Sequence, residues 1–183
     1  MKIVGLITEY NPFHNGHKYH IEKAKEITGA EYVIAVMSGD FVQRGAPAVM
    51  PKHLRAEMAL HGGCDMIIEL PVRYATGSAE YFASGAISIL DGLGCVDAIC
   101  FGSECGDYAS LEKIAKVLAD EPDDYKLLLQ NNLKAGYSFP VARQIALENY
   151  FHDDKLNAVI KEPNNILGIE YIKAMLSRNS SMK

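Results

Sequence analysis

The chain has 183 residues, 49% of them apolar and 22% charged, with a formal net charge of −5. That is enough apolar material for a domain core, and the charges are too well mixed for wholesale disorder. The acidic balance argues against a protein that coats nucleic acid through its overall charge, while leaving room for a local basic patch.

Ile3–Thr8 is a compact apolar run with β-branched residues, and an acidic residue follows at once. It reads as a first strand, not as a signal peptide. His17–Ile27 has a helical pattern, with Ile21, Ala24 and Ile27 expected on one buried face. Tyr32–Met37 is a second strand, and Lys52–His61 a helix stopped by Gly62 and Gly63. Met66–Leu70 is a third strand closed by Pro71, and Ala79–Leu93 a long helix with Phe82, Ala86, Ile89 and Leu93 as its stripe. Val96–Phe101 is a fourth strand. After Asp107 the pattern is helical: Ser110–Leu118, Tyr125–Ala135, Val141–Tyr150 and Ile166–Leu176, with breaks at Pro122, Gly136–Pro140 and "KEPNN".

Strands apolar on both faces, alternating with helices, predict an α/β fold: a Rossmann-like parallel sheet covered by helices on both faces. The α/β core is expected over 1–107, and 108–183 as a mainly helical continuation of the same domain. In such sheets ligands bind beyond the carboxyl ends of the strands. Each polar, loop-like stretch here follows a strand: "EYNPFHNGH", "SGDFVQRGAPAVMPK", "PVRYATGSAE" and "GSECGD".

The four cysteines form no CxxC pair, which argues against a zinc knuckle or redox motif and for a reducing compartment. No apolar run is long enough to span a bilayer, so a cytoplasmic location is expected, with no membrane partner. Nothing in the pattern specifies an oligomeric state.

Three of the six histidines, His14, His17 and His20, fall within seven residues. Pro12 suits a turn, and Asn15 or Gly16 can begin a helix whose free N–H groups favour an anion, typically a phosphate. Gly16 lets a phosphate or base approach the backbone closely. His14 and His17 flank that point, where imidazoles can donate to phosphate oxygens or, if charged, stabilise a leaving pyrophosphate. No i,i+4 histidine pair or nearby cysteine supports a protein-only metal site. His20 alone reads as a surface helix residue. In the long loop after the second strand, Arg44 is a candidate phosphate or tRNA contact, with Lys52 and Arg55 adding charge. The bland alternative for each is a solvated loop charge. Ser78 is expected to cap a helix, and Tyr10 and Phe13 either wall the site or belong to the core.

An HxGH sequence directly after a first parallel strand resembles the HxGH nucleotidyltransferases, which share a core with class I aminoacyl-tRNA synthetases. Longer runs, "GLITEYNPFHNGHKYHI", "VMSGDFVQRGAPAV", "ELPVRYATGSAEYFASGA", "CFGSE" and "PNNILGIEYIKA", resemble the bacterial tRNA(Met) cytidine acetate ligases over essentially the whole chain. That resemblance implies a nucleotidyltransferase core that activates acetate with ATP, giving acetyl-AMP and pyrophosphate. It then acetylates N4 of the wobble cytidine of elongator tRNA(Met). It implies His14 and His17 as catalytic residues. It also implies an ATP segment of Ile7, Thr8, Glu9, Tyr10, Asn11, Pro12, Phe13, His14, Asn15, Gly16, His17, Lys18, Tyr19 and His20. Gly102 and Asn164 join it, Asn164 being chosen over Asn165 and read as an N-cap, a ligand or both. Magnesium is expected with ATP, held mainly by phosphates and water.

The resemblance further implies a late strand followed by a Ser/Thr-rich segment with an arginine. "SRNSSMK" does not map onto it. The expectation is therefore the N-terminal part of a longer enzyme, with an exposed edge beside the fourth strand. Two other readings stay open: an adenylyltransferase for a phosphorylated cofactor precursor, and a nucleotide- or tRNA-binding remnant without turnover.

Overall fold

The computed structural model describes residues 1–183. Strand β1 (Ile3–Thr8) lies between β2 (Tyr32–Ser38) and β4 (Ala98–Ile99), and β3 (Met66–Leu70) forms the far edge. The order is β3-β2-β1-β4, and every pair is parallel. Ile7 and Thr8 register with Val36 and Met37, so β1 and β2 end together.

Residues alternate across a strand, so Val4 and Leu6 share one face. They pack with Val33, Ala35 and Met37, with Ile21 and Ala24 of α1 (Asn15–Thr28), and with Ala59 of α2 (Lys52–His61). Gly5 points the other way. A Cβ there would sit 2.8 Å from Leu90 of α4 (Ala79–Gly92), so the glycine lets that helix close on the second face. Helices on both faces give the sheet the two apolar sides its sequence requires. No helix is long and apolar enough to cross a membrane.

Three expectations shift. Ile27 is 75% exposed rather than buried, because six residues carry it about 240° around the helix from Ile21. In α4 the buried stripe runs through Phe82, Ala83, Ala86, Ile87 and Leu90, while Leu93 lies past the helix end and is exposed. The fourth strand is paired over two residues, and its outer edge is not bare. Lys183 N donates to Asp97 O (3.0 Å) and Lys183 O accepts from Ile99 N (2.9 Å), the bonds of a parallel bridge flanking Ala98. The four-residue α3 (Val72–Ala75) escaped sequence reading because one turn has no periodicity. Ser78 caps α4 as expected, accepting from Tyr81 N at 3.5 Å.

The chain divides into two units, Met1–Phe101 with Asn179–Lys183, and Gly102–Arg178. The second unit is helical: α5 (Tyr108–Asp120), α6 (Asp123–Lys134), α7 (Phe139–Phe151), α8 (Asp154–Val159) and α9 (Pro163–Ser177). Leu111, Ile114, Ala115 and Leu118 of α5 are buried, as are Ile169 and Ile172 of α9, and these two helices pack together. Glu170 of α9, 1% exposed, forms an ion pair with Arg143 of α7.

Candidate nucleotide site

Beyond β1 the chain turns sharply. Tyr10 takes a left-handed φ of 47°, and the Asn11–Pro12 peptide bond is cis. The Tyr10 ring is buried, with its hydroxyl 3.7 Å from Cys64 Sγ, and burial raises its pKa. Its edge meets Phe13 (centroids 5.0 Å apart) and His17 (4.9 Å), so Tyr10 is core that supports the site. Phe13 is half-buried and lies over Gly62, where a Cβ would come within 2.2 Å of the ring.

Helix α1 begins at Asn15, as the glycine and proline punctuation predicts, and His14 is its N-cap. The two histidines cap it reciprocally. Gly16 N donates to His14 Nδ1 (3.1 Å), and His14 N donates to His17 Nδ1 (3.2 Å). The rings stack with centroids 3.7 Å apart and planes 21° from parallel. A ring nitrogen that accepts from an N–H cannot hold a proton itself. Both Nδ1 atoms are therefore acceptors, and in each ring the proton sits on Nε2. Burial is the largest cause lowering the His17 pKa, to about 4, reinforced by the neighbouring His14 and His20. At neutral pH His17 is thus an uncharged donor, not the charged group considered from the sequence. Gly16 also serves His14 directly, because a Cβ there would lie 3.0 Å from the imidazole.

His20 does not sit as a free surface residue. It is half-buried, its Nε2 is buried without a hydrogen-bond partner, and burial lowers its pKa. Lys18 and Tyr19 are exposed on the first turns of α1.

The loop after β2 is fastened to the loop after β1. Glu9 Oε1 accepts from Gln43 N (2.7 Å), and Asn11 Oδ1 accepts from Val49 N (2.8 Å). Arg55 completes the junction. It is 0% exposed, and its guanidinium donates to the carbonyls of Glu9, Ser38, Gly39 and Met50. Desolvation lowers its pKa, partly countered by the Asp40, Glu9 and Glu69 carboxylates. The candidate role of Arg55 as a phosphate or tRNA contact is therefore corrected: its donors are directed to the chain's own carbonyls. Lys52 is likewise engaged, with Nζ 2.8 and 2.9 Å from the Glu69 carboxylate oxygens. Arg44 differs from both, being exposed, unpaired and held at φ 70°.

In the second unit, Gly102 is exposed, with open space where a Cβ would stand. Asn164 is not an N-cap. Glu162 holds that position, Pro163 is the first helical residue, and Asn164 lies in the first turn of α9. The anion at this helix start is Glu104, which sequence reading passed over although it closes "FGSE". Its Oε1 accepts from Asn164 N (3.1 Å) and Asn164 Nδ2 (2.8 Å), and its Oε2 from Asn165 N (2.9 Å). Desolvation would raise the Glu104 pKa, but these bonds outweigh it and the net shift is downward. With Nδ2 engaged, Asn164 presents Oδ1 as a free acceptor. Asn165 is buried, donating to Val159 O (3.1 Å) and accepting from Cys105 N (3.2 Å). No group of three or more His, Cys, Asp or Glu side chains comes together in a way that fits a metal ion.

Comparisons with known proteins place the chain among named relatives. The tRNA(Met) cytidine acetate ligase of Acetivibrio thermocellus is 54% identical over 183 residues, which is 100% of this chain and 44% of that protein. The ligase of the same name from Caldicellulosiruptor saccharolyticus is 55% identical, again over 100% of this chain and 44% of its own length. A crystal structure of Thermotoga maritima TmcAL bound with alpha-thio ATP superposes with a TM-score of 0.97 at 46% identity, over 100% of this chain and 45% of that one. The chain spans less than half the length of these relatives. The family model for HIGH Nucleotidyl Transferase matches residues 1–183, and the chain belongs to that family.

Proposed function

We propose that this chain carries the ATP-dependent, acetate-activating half of a tRNA(Met) cytidine acetate ligase. The observation that carries the reading is the reciprocal cap of His14 and His17 at the start of α1. It leaves two parallel rings with Nε2–H donors beside the backbone donors of a helix N-terminus, an arrangement suited to a polyphosphate. The relatives' shared name and the ATP analogue in the Thermotoga maritima structure support the same reading.

In this reading an acetate oxygen attacks the α-phosphorus of ATP. The bond to the bridging oxygen breaks and pyrophosphate leaves with the electron pair, giving acetyl-AMP. His14 and His17 donate to the phosphate oxygens on which charge gathers, which is where a fixed donor lowers the barrier. No residue serves as a covalent nucleophile. The N4 amine of the wobble cytidine of elongator tRNA(Met) then attacks the acetyl carbonyl, loses a proton, and AMP departs. Ile7 through His20 form the ATP segment. Magnesium accompanying ATP would be held mainly by the phosphates and water. The reaction belongs in the cytoplasm, where tRNA and ATP are found.

The test is acetate-dependent exchange of labelled pyrophosphate into ATP by the 183-residue chain, with a no-acid control. Exchange that requires acetate is expected. Exchange driven only by a phosphorylated substrate would replace this reading with a cofactor adenylyltransferase. ATP binding without exchange would reduce the chain to a nucleotide-binding part.

A further inference from the structure

The loop after β2 carries an aromatic ring that the nucleotide reading does not use. Phe41 is 46% exposed, and no other ring packs against it. Three residues on, Arg44 is exposed, makes no ion pair, and sits in a left-handed conformation that a long side chain adopts only when its surroundings impose it. Gly45, at φ 77°, continues the turn.

The surroundings do impose it. Phe41 forms an antiparallel bridge with Pro47, Val42 N donates to Ala46 O (2.9 Å), and Gly45 N donates to Val42 O (3.0 Å). Ala48 N donates to Asp40 O (2.9 Å), and Asp40 Oδ1 accepts from Lys52 N (3.0 Å). Glu9 and Asn11 fasten the same segment from the side of the His14 turn. A fixed backbone thus displays one aromatic face and one planar, uncommitted cation. Exposing a phenyl ring to water is unfavourable, and a rigid loop gives it no route to bury itself. Arg44, three residues on, adds an exposed cation to the same loop, and a partner that joins a flat apolar face to a negative charge would use both. An unstacked nucleotide of single-stranded RNA is such a partner, since bases stack on aromatic rings and guanidinium planes while their phosphates attract the charge.

We propose that Phe41 and Arg44 form a stacking platform for an unpaired base of the RNA substrate, next to the site where its acyl donor is made. This rests on the acetyl-transfer reading above, but it is tested by binding rather than turnover. The chain contains no tryptophan, so Phe41→Trp places a lone tryptophan, excited selectively over the ten tyrosines, at the platform. The probe is an RNA stem-loop with a cytidine in its single-stranded loop, compared with the same stem-loop abasic at that position and with ATP alone. Saturable quenching by the cytidine stem-loop is expected, with affinity about fivefold or more weaker for the abasic form and no quenching by ATP. Adding Arg44→Ala should lower the slope of log affinity against log salt by about one. Quenching by ATP alone would assign the ring to adenine and overturn the proposal. No quenching by either RNA would also overturn it and leave the loop as a protein-contact face. Pyrophosphate exchange by the unsubstituted chain, measured in parallel, judges the acetate reading separately.

Discussion

His14 and His17 act as each other's support: the backbone N–H of His14 binds the ring of His17, and the ring of His14 binds the backbone one residue before His17. The rings also stack, 3.7 Å between centroids, so removing either strips a contact from the other. His14→Ala and His17→Ala should therefore each lower acetate-dependent pyrophosphate exchange by about 10²-fold or more, the usual cost of losing a donor to developing charge. His20→Ala should lose far less, as its ring takes no part in the cap. Equal losses at all three positions, read as kcat at saturating ATP, would contradict this geometry.

The buried, neutral state of His17 has a pH signature. Its folded pKa of about 4 lies below the ordinary value of 6.5. Between those values the unfolded chain binds a proton that the folded chain refuses, so this residue destabilises the fold as pH falls from 6.5 towards 4. Above pH 6.5 it contributes nothing to the pH dependence. NMR titration of the assigned His17 ring should show it protonating near 4, and ATP should raise that value, since phosphate oxygens favour the charged form. A His17 ring that titrates near 6.5 in the free protein would refute the assignment.

Arg55 is expected to matter for stability before chemistry. Arg55→Ala leaves the carbonyls of Glu9, Ser38, Gly39 and Met50 without their shared donor, and a void where the side chain lay. A loss of about 3 kcal/mol or more in urea unfolding is anticipated. Arg55→Lys should recover only part of it, as an ammonium lacks the planar fork. An unfolding midpoint unchanged in Arg55→Ala would show that the guanidinium is not the junction described.

Glu104→Gln keeps the shape of the side chain but removes the charge at the α9 N-terminus. A loss of about 1 kcal/mol is expected, as for other helix caps. Its amide can no longer accept through both positions, so Asn164 is freed to turn. The loss is read in urea unfolding, and an unchanged midpoint would show that Glu104 does not fasten the start of α9.

The sheet was readable because its signal is local. Ile3–Thr8 and Met66–Leu70 are bounded to the residue by their apolar runs, and Lys52–His61 by the proline before it and the glycines after it. So was the start of α1, where Pro12, Asn15 and Gly16 punctuate the chain. What escaped depends on partners far away in sequence. Arg55 looks like any loop cation until carbonyls from four separate positions converge on it. Glu104 gains its meaning from Asn164 and Asn165, sixty or so residues on. Short α3 and α8 have too few turns for a stripe to show. The neutral state of His17 needs the burial that only packing against Tyr10 and Phe13 supplies.

The single guanidinium shared by Glu9, Ser38, Gly39 and Met50 also limits how this part of the molecule can breathe. The two loops it joins are also tied by the Glu9–Gln43 and Asn11–Val49 bonds, so they should open as one cooperative body. Amide exchange at Gln43 and Val49, whose hydrogens are held by Glu9 and Asn11, should then slow in step with exchange at Gly16 when nucleotide binds. A ligand felt by the first loop would in this way be registered by the second without touching it.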